Sequence, residues 1–138
     1  MLVCAVLLAG VWATFGGFSV TARTHTRAES QAVINDATPL LAAIHKYEGV
    51  TGRPPPILAA LAPKYITRLP ALPSRYASGR DYLYTVEPNQ WRLAVPLRGE
   101  RNAVLTYSSV RDYPSGNRKT PVVRIGDWAY YHGNPYAP

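Results

Sequence analysis

The stretch Tyr82-Leu83-Tyr84-Thr85-Val86-Glu87-Pro88-Asn89-Gln90-Trp91-Arg92-Leu93-Ala94-Val95 decides the fold. Successive side chains of a strand point to opposite sides, so Tyr82, Tyr84 and Val86 share one face of the first strand, and Trp91, Leu93 and Val95 share one face of the second. Glu87-Pro88-Asn89-Gln90 supplies the turn between them. The stretch predicts a β-hairpin. Downstream, further strands are expected at about Val104 to Ser108, Val122 to Ile125 and Trp128 to His132, after polar loops such as Pro114-Ser115-Gly116-Asn117-Arg118-Lys119.

Upstream of the hairpin the period changes. Ala28, Ala32, Ala37, Leu40, Leu41, Ile44 and Tyr47 recur at intervals of three and four, as one face of a helix requires. Thr38-Pro39 either starts a fresh helix running to about Glu48 or kinks a longer one, and Gly49 and Gly52 end it. Arg53-Pro54-Pro55-Pro56 reads as a stiff connector into a short second helix, about Pro56 to Leu61, that buries Ile57, Leu58 and Leu61. In the segment studded by Pro63, Pro70 and Pro73, the residues Tyr65, Ile66, Leu69 and Leu72 are expected to pack on the core. Helices first and antiparallel strands afterwards indicate an α+β fold: an N-terminal membrane helix and an amphipathic helix packed on an antiparallel sheet of about four to five strands.

Leu2 to Ala22 carries no charge, and a helix of that length spans about 30 Å, the thickness of a bilayer's hydrocarbon core. The expected organisation is therefore a hydrophobic anchor over 1–22, contacting membrane lipid, and one soluble domain over 23–138. A cleaved signal peptide is the competing reading, with Val20-Thr21-Ala22 as the small-residue site. The single cysteine, Cys4, lies inside the apolar run, which leaves the domain without an intrachain disulfide or a thiolate metal cluster. Leu2-Val3-Cys4 has a faint likeness to a lipoprotein signal.

Little in the domain points to catalysis. His25, His45 and His132 fall in three elements without a metal-ligand spacing, and His45 reads as a helix-surface residue. No serine stands in a GxSxG turn, and Ser108 and Ser109 read as strand-end residues. The absence of GxxxxGK and GxGxxG argues against a nucleotide. No catalytic, cofactor-binding or metal residue is assigned, and no enzyme is expected.

The charge is more informative. All 15 Lys and Arg and all 8 Asp and Glu follow the apolar run, giving the domain a formal charge of +7. Such a surface attracts polyanions, and Tyr107, Tyr113, Trp128, Tyr130 and Tyr131 could stack on bases or sugars. The competing reading is an arginine-rich solvated surface and tyrosines that cover a small sheet. No cation run is denser than Arg98 with Arg101 or Arg118 with Lys119.

Leu41-Ala42-Ala43-Ile44-His45-Lys46-Tyr47, then Gly52-Arg53-Pro54, then Leu58 and Leu61, then Pro63-Lys64-Tyr65-Ile66 and Leu69-Pro70 form a pattern. Together with Tyr82-Leu83-Tyr84 and the tryptophan-bearing strand after it, the pattern over about 40–95 resembles the pilin-like and pseudopilin-like proteins of type II secretion and type IV pili. Such proteins carry a basic leader, a peptidase site ending in glycine before phenylalanine and a glutamate five residues into the mature helix, and this complete set is not found. Gly133-Asn134-Pro135-Tyr136 echoes a segment near the calcium loop of major pseudopilins, and no calcium site is carried over from it. The resemblance implies a bacterial inner-membrane, single-pass protein with its domain in the periplasm. It would act on protein partners in the envelope as an accessory of a secretion or pilus system. Taken literally, Arg23 and Arg27 favour the opposite orientation. The alternative function is a binding module for an anionic envelope polymer or DNA.

Overall fold

A computed structural model describes residues 18–73, 75–99, 103–114 and 122–132, with side chains from residue 27 onward. Most of the expected anchor, 1–22, and the loop holding Arg118 and Lys119 lie outside the described residues. The elements are α1 (Phe18–Thr51), a 3-10 turn (Leu58–Leu61), β1 (Leu83–Glu87), β2 (Gln90–Pro96), β3 (Val104–Ser108), β4 (Val122–Ile125) and β5 (Trp128–Tyr131). The strands form one antiparallel sheet in the order β1-β2-β3-β5-β4. The chain is thus α+β, with one helix packed on a five-stranded antiparallel sheet.

The hairpin register pairs Val86 with Trp91 and Tyr84 with Leu93, and Glu87 with Gln90 closes it around Pro88-Asn89. Glu87 holds the turn from its side chain, accepting hydrogen bonds from Gln90 Nε2 at 2.7 Å and from the Arg92 guanidinium. Trp91, Leu93 and Val95 are buried as their alternation requires, whereas Val86 is exposed because β1 is the sheet's edge. At the other end, β4 and β5 turn around Gly126-Asp127, and Gly126 supplies the positive φ of 60° that such two-residue turns need. The later strand of this pair, β5, lies beside β3, so the chain from β3 crosses past β5 before β4 begins.

Pro39 does not restart the helix. Residues 18–51 form one continuous element with Pro39 inside it, and the Thr38 hydroxyl donates to the Ile34 carbonyl at 2.9 Å one turn back. The lost ladder bond is offset by the side chains of the same turns, for Val33, Ala37, Leu40 and Ile44 are fully buried against the sheet. Gly49 stays within the helix. Gly52 ends it, with φ of 75° and its N–H bonded to the Glu48 carbonyl at 2.8 Å.

The buried stripe differs from the expected one. It runs through Ser30, Val33, Ala37, Leu40, Ala43 and Ile44, while Ala28 is exposed and Ala32, Leu41 and Tyr47 are half-buried. A polar residue, Ser30, occupies the position that continues the three-and-four spacing, which is why a search for apolar residues drifts off the true face. The short second helix is also reduced: a single 3-10 turn buries Leu61, while Ile57 is 60% exposed. Its orphan N–H groups and the prolines around it leave no room for an α-helical ladder. Of the residues beyond it, Leu72 is buried, Tyr65 and Ile66 are half-buried, and Leu69 stays at the surface.

The core lies between α1 and the near face of the sheet, where Trp91, Leu93, Val95, Leu105, Tyr107, Trp128 and Tyr130 meet the helix stripe. Each large apolar side chain removed from water there contributes about 1.5–3 kcal/mol. The far face is also closed at its centre. Val104, Ala129 and Tyr131 are buried under Tyr113 and Val122, with the Arg124 guanidinium 4.0 Å over the Tyr113 ring. The Tyr131 hydroxyl donates to the Pro114 carbonyl at 3.2 Å.

Thr106, in the central strand β3, is fully buried and its hydroxyl has no hydrogen-bond partner. A desolvated, unsatisfied hydroxyl is unfavourable by about 1–3 kcal/mol, and valine has the same shape without it. Thr106→Val is therefore expected to raise the free energy of unfolding by about 1 kcal/mol, measured by urea titration. An unchanged or lowered midpoint would contradict this account of β3.

Candidate functional site

Glu48, His45, Trp91 and Tyr107 converge where the last turns of α1 meet β2 and β3. The Trp91 indole N–H donates to Glu48 Oε2 at 3.3 Å, and the same carboxylate oxygen lies 3.7 Å from His45 Nδ1. The other imidazole nitrogen, Nε2, is 3.1 Å from the Tyr107 hydroxyl. The His45 ring centroid stands 5.3 Å from that of Trp91, which in turn lies 5.5 Å from Tyr107 and 6.0 Å from Tyr84. His45 is half-exposed, as a helix-surface residue should be, yet its ring is committed to the sheet.

Local structure explains the convergence. His45 and Glu48 are three residues apart and so lie on the same side of the helix. Trp91 and Tyr107 project from adjacent strands onto the near face, one step from the directly opposed pair Leu93 and Tyr107. Ser109 fixes the end of that ladder: its hydroxyl accepts from the Trp91 N–H at 3.0 Å, and its own N–H donates to the Trp91 carbonyl at 3.0 Å. Ser108 donates from its hydroxyl to Gln90 Oε1 at 3.2 Å. Both serines are strand-end residues, as their sequence position implies.

A groove of about 410 Å³ runs from this network along α1 toward the β4–β5 turn, between Ile34, Thr38 and Leu41 on the helix and Trp128 on the sheet. At its mouth the Arg111 guanidinium donates to the Asp127 carboxylate at 3.1 Å, which holds that carboxyl below the usual carboxylate range. Both partners are more than half exposed, so the ion pair contributes little to stability.

Burial pushes the Tyr107 phenol above its ordinary value, and the nearby Arg111 partly opposes it. The network satisfies the polar ends of its aromatic rings and joins the helix to the sheet.

Tyr82, Tyr84 and Tyr113 are likewise pushed above the ordinary phenol value of 10.0, in each case chiefly by burial. A group whose pKa is raised on folding stabilises fully below its unfolded pKa, and that stability is lost as pH rises through the folded value. Stability is thus expected to be insensitive to these phenols below about pH 10 and to fall steeply above it. Alkaline titration should show phenolate absorbance and loss of helical circular dichroism developing together. Phenolate appearing with the helix signal intact would contradict it.

The rings considered as a stacking platform are mostly core. Tyr107, Trp128, Tyr130 and Tyr131 are buried and Tyr113 is half-buried, because the two faces of the sheet are both covered. His132 packs edge-on against Tyr130, away from the His45 network. The bond between Glu48 and Trp91 was not legible in the sequence; the one hint was His45 bordering the apolar stripe.

The fold defines the class: a small α+β domain with one long helix on a five-stranded antiparallel sheet. Comparison of the chain with protein-family models, with characterised proteins and with solved structures finds no match.

Proposed function

We propose that this chain is a membrane-anchored, non-enzymatic envelope protein of pilin-like organisation, acting through protein contacts as an accessory component of a secretion or pilus system. One observation carries the reading: the last residues of the apolar run Leu2–Ala22, from Phe18 onward, already belong to α1, which continues without interruption to Thr51. The described end of the apolar run is thus joined to the folded domain by regular helix. Among the described residues alone, no helix is long and apolar enough to cross a membrane. The tether in this proposal is accordingly residues 1–22 as a whole.

The division of labour follows from burial. From Val33 onward α1 is committed to the core through Val33, Leu40 and Ile44, so partner contacts fall to the anchor, to the helix before Val33 and to the grooves beside it. Alkaline extraction of membranes from cells making the full chain tests the tether. Retention of the full-length protein in the pellet is expected; release into the supernatant at full length would overturn the proposal.

A further inference from the structure

Ser30 is a polar residue on the buried stripe of α1. It is 1% exposed, and its hydroxyl has no hydrogen-bond partner. A buried hydroxyl left unpaired destabilises the fold, and alanine at this position would avoid that loss. Ser30 also lines a pocket of about 260 Å³, together with Glu29, Tyr76, Leu97, Arg98 and Tyr130. The backbone fixes the walls: the Arg98 N–H donates to the Tyr76 carbonyl at 2.8 Å, the Leu97 N–H donates to the Ala103 carbonyl at 2.9 Å, and Ala77 bridges to Leu97. The pocket is therefore built into the fold, as small-molecule sites usually are.

Size and chemistry narrow the occupant. A water molecule takes about 30 Å³ of liquid, so the pocket holds far more than the single water that one hydroxyl needs. It is also smaller than the roughly 300–1,000 Å³ of pockets for drug-sized ligands, which limits the occupant to about one small ring. Glu29 and Arg98 give the described lining one carboxylate and one guanidinium, a balance that favours a ligand without net charge. Leu97 is buried and Tyr76 half-buried, so apolar surface stands beside these polar groups. A sugar ring has the matching pair of properties, with hydroxyls around its edge and C–H groups on its faces.

We propose that this pocket binds a neutral polyhydroxy compound the size of a single sugar ring, one of whose hydroxyls completes the hydrogen bonding of Ser30. The Arg98 guanidinium offers donors to the remaining hydroxyls, and Leu97 and Tyr76 meet the C–H faces. The inference goes beyond the tether and the protein contacts proposed above and depends on neither.

The test uses the full chain, isotopically labelled at nitrogen, in micelles of a detergent without a sugar head group. D-glucose, D-galactose and D-mannose are titrated in turn and followed by amide chemical shifts. Saturable shifts at Ser30, Leu97 and Gly99 are expected with at least one of the three, while sodium acetate and glycine, one anionic and one zwitterionic, leave them unmoved. Ser30→Ala is expected to weaken sugar binding about three- to tenfold, the weight of one neutral hydrogen bond. The same variant, free of sugar, is expected to raise the urea midpoint, because it removes an unpaired buried hydroxyl. A serine with a purely structural role would lose stability on that substitution. No saturable shift with any sugar, equal shifts with acetate or glycine, or unchanged affinity in Ser30→Ala would each overturn the proposal. A lowered urea midpoint would overturn it too, since the hydroxyl would then be engaged within the protein.

Discussion

Trp91→Ala is expected to lower the free energy of unfolding by about 3–5 kcal/mol, the range for deleting a large buried aromatic side chain. Trp91 is 1% exposed and stands at the centre of the aromatic cluster, touching rings from α1, β1 and β3. Its removal opens a cavity and also strands the Glu48 carboxylate that its indole N–H satisfies. Set against a total stability of about 5–15 kcal/mol for a domain of this kind, the loss is enough to leave much of the protein unfolded at moderate urea. Trp91→Phe separates the two effects: it keeps most of the ring and removes the donor, so about 1 kcal/mol of loss is expected from the hydrogen bond. Urea titrations of both variants check this, and equal effects would show that the polar brace, not the ring, dominates.

Leu40→Ala is expected to cost about 2–5 kcal/mol, and Leu41→Ala much less. The neighbours differ only in the side of the helix they occupy. Leu40 is fully buried between α1 and the sheet, whereas Leu41 is half-buried at the rim of the groove near Trp128. The pair therefore tests the helix stripe itself. Similar losses for both would mean that α1 is rotated about its axis relative to the contacts described.

The hairpin was legible because strict alternation from Tyr82 to Val95 is a period-two signal with few competitors, and its register follows from the turn at Pro88-Asn89. Strand existence downstream was legible for the same reason. Strand order was not: nothing in the local pattern of Val122–Ile125 and Trp128–Tyr131 says which of the two sits beside β3. The helix face was blurred by Ser30, a polar residue on the buried stripe, and by Pro39, whose disruptive propensity is overridden by packing on both sides of it. Ile57 was misread because an aliphatic residue next to prolines looks like core, and only the fold shows it standing at the edge of a groove. The brace between α1 and the sheet depends on residues 43 and 62 positions apart, a separation that local patterns do not carry.

The most direct test of the anchored, extracytoplasmic account is protease accessibility of a C-terminal tag on the full chain in spheroplasts. The account predicts that external protease removes the tag while the membrane stays intact, with the chain remaining membrane-bound. A tag protected until the membrane is lysed would place the domain on the cytoplasmic side and contradict the account at its centre.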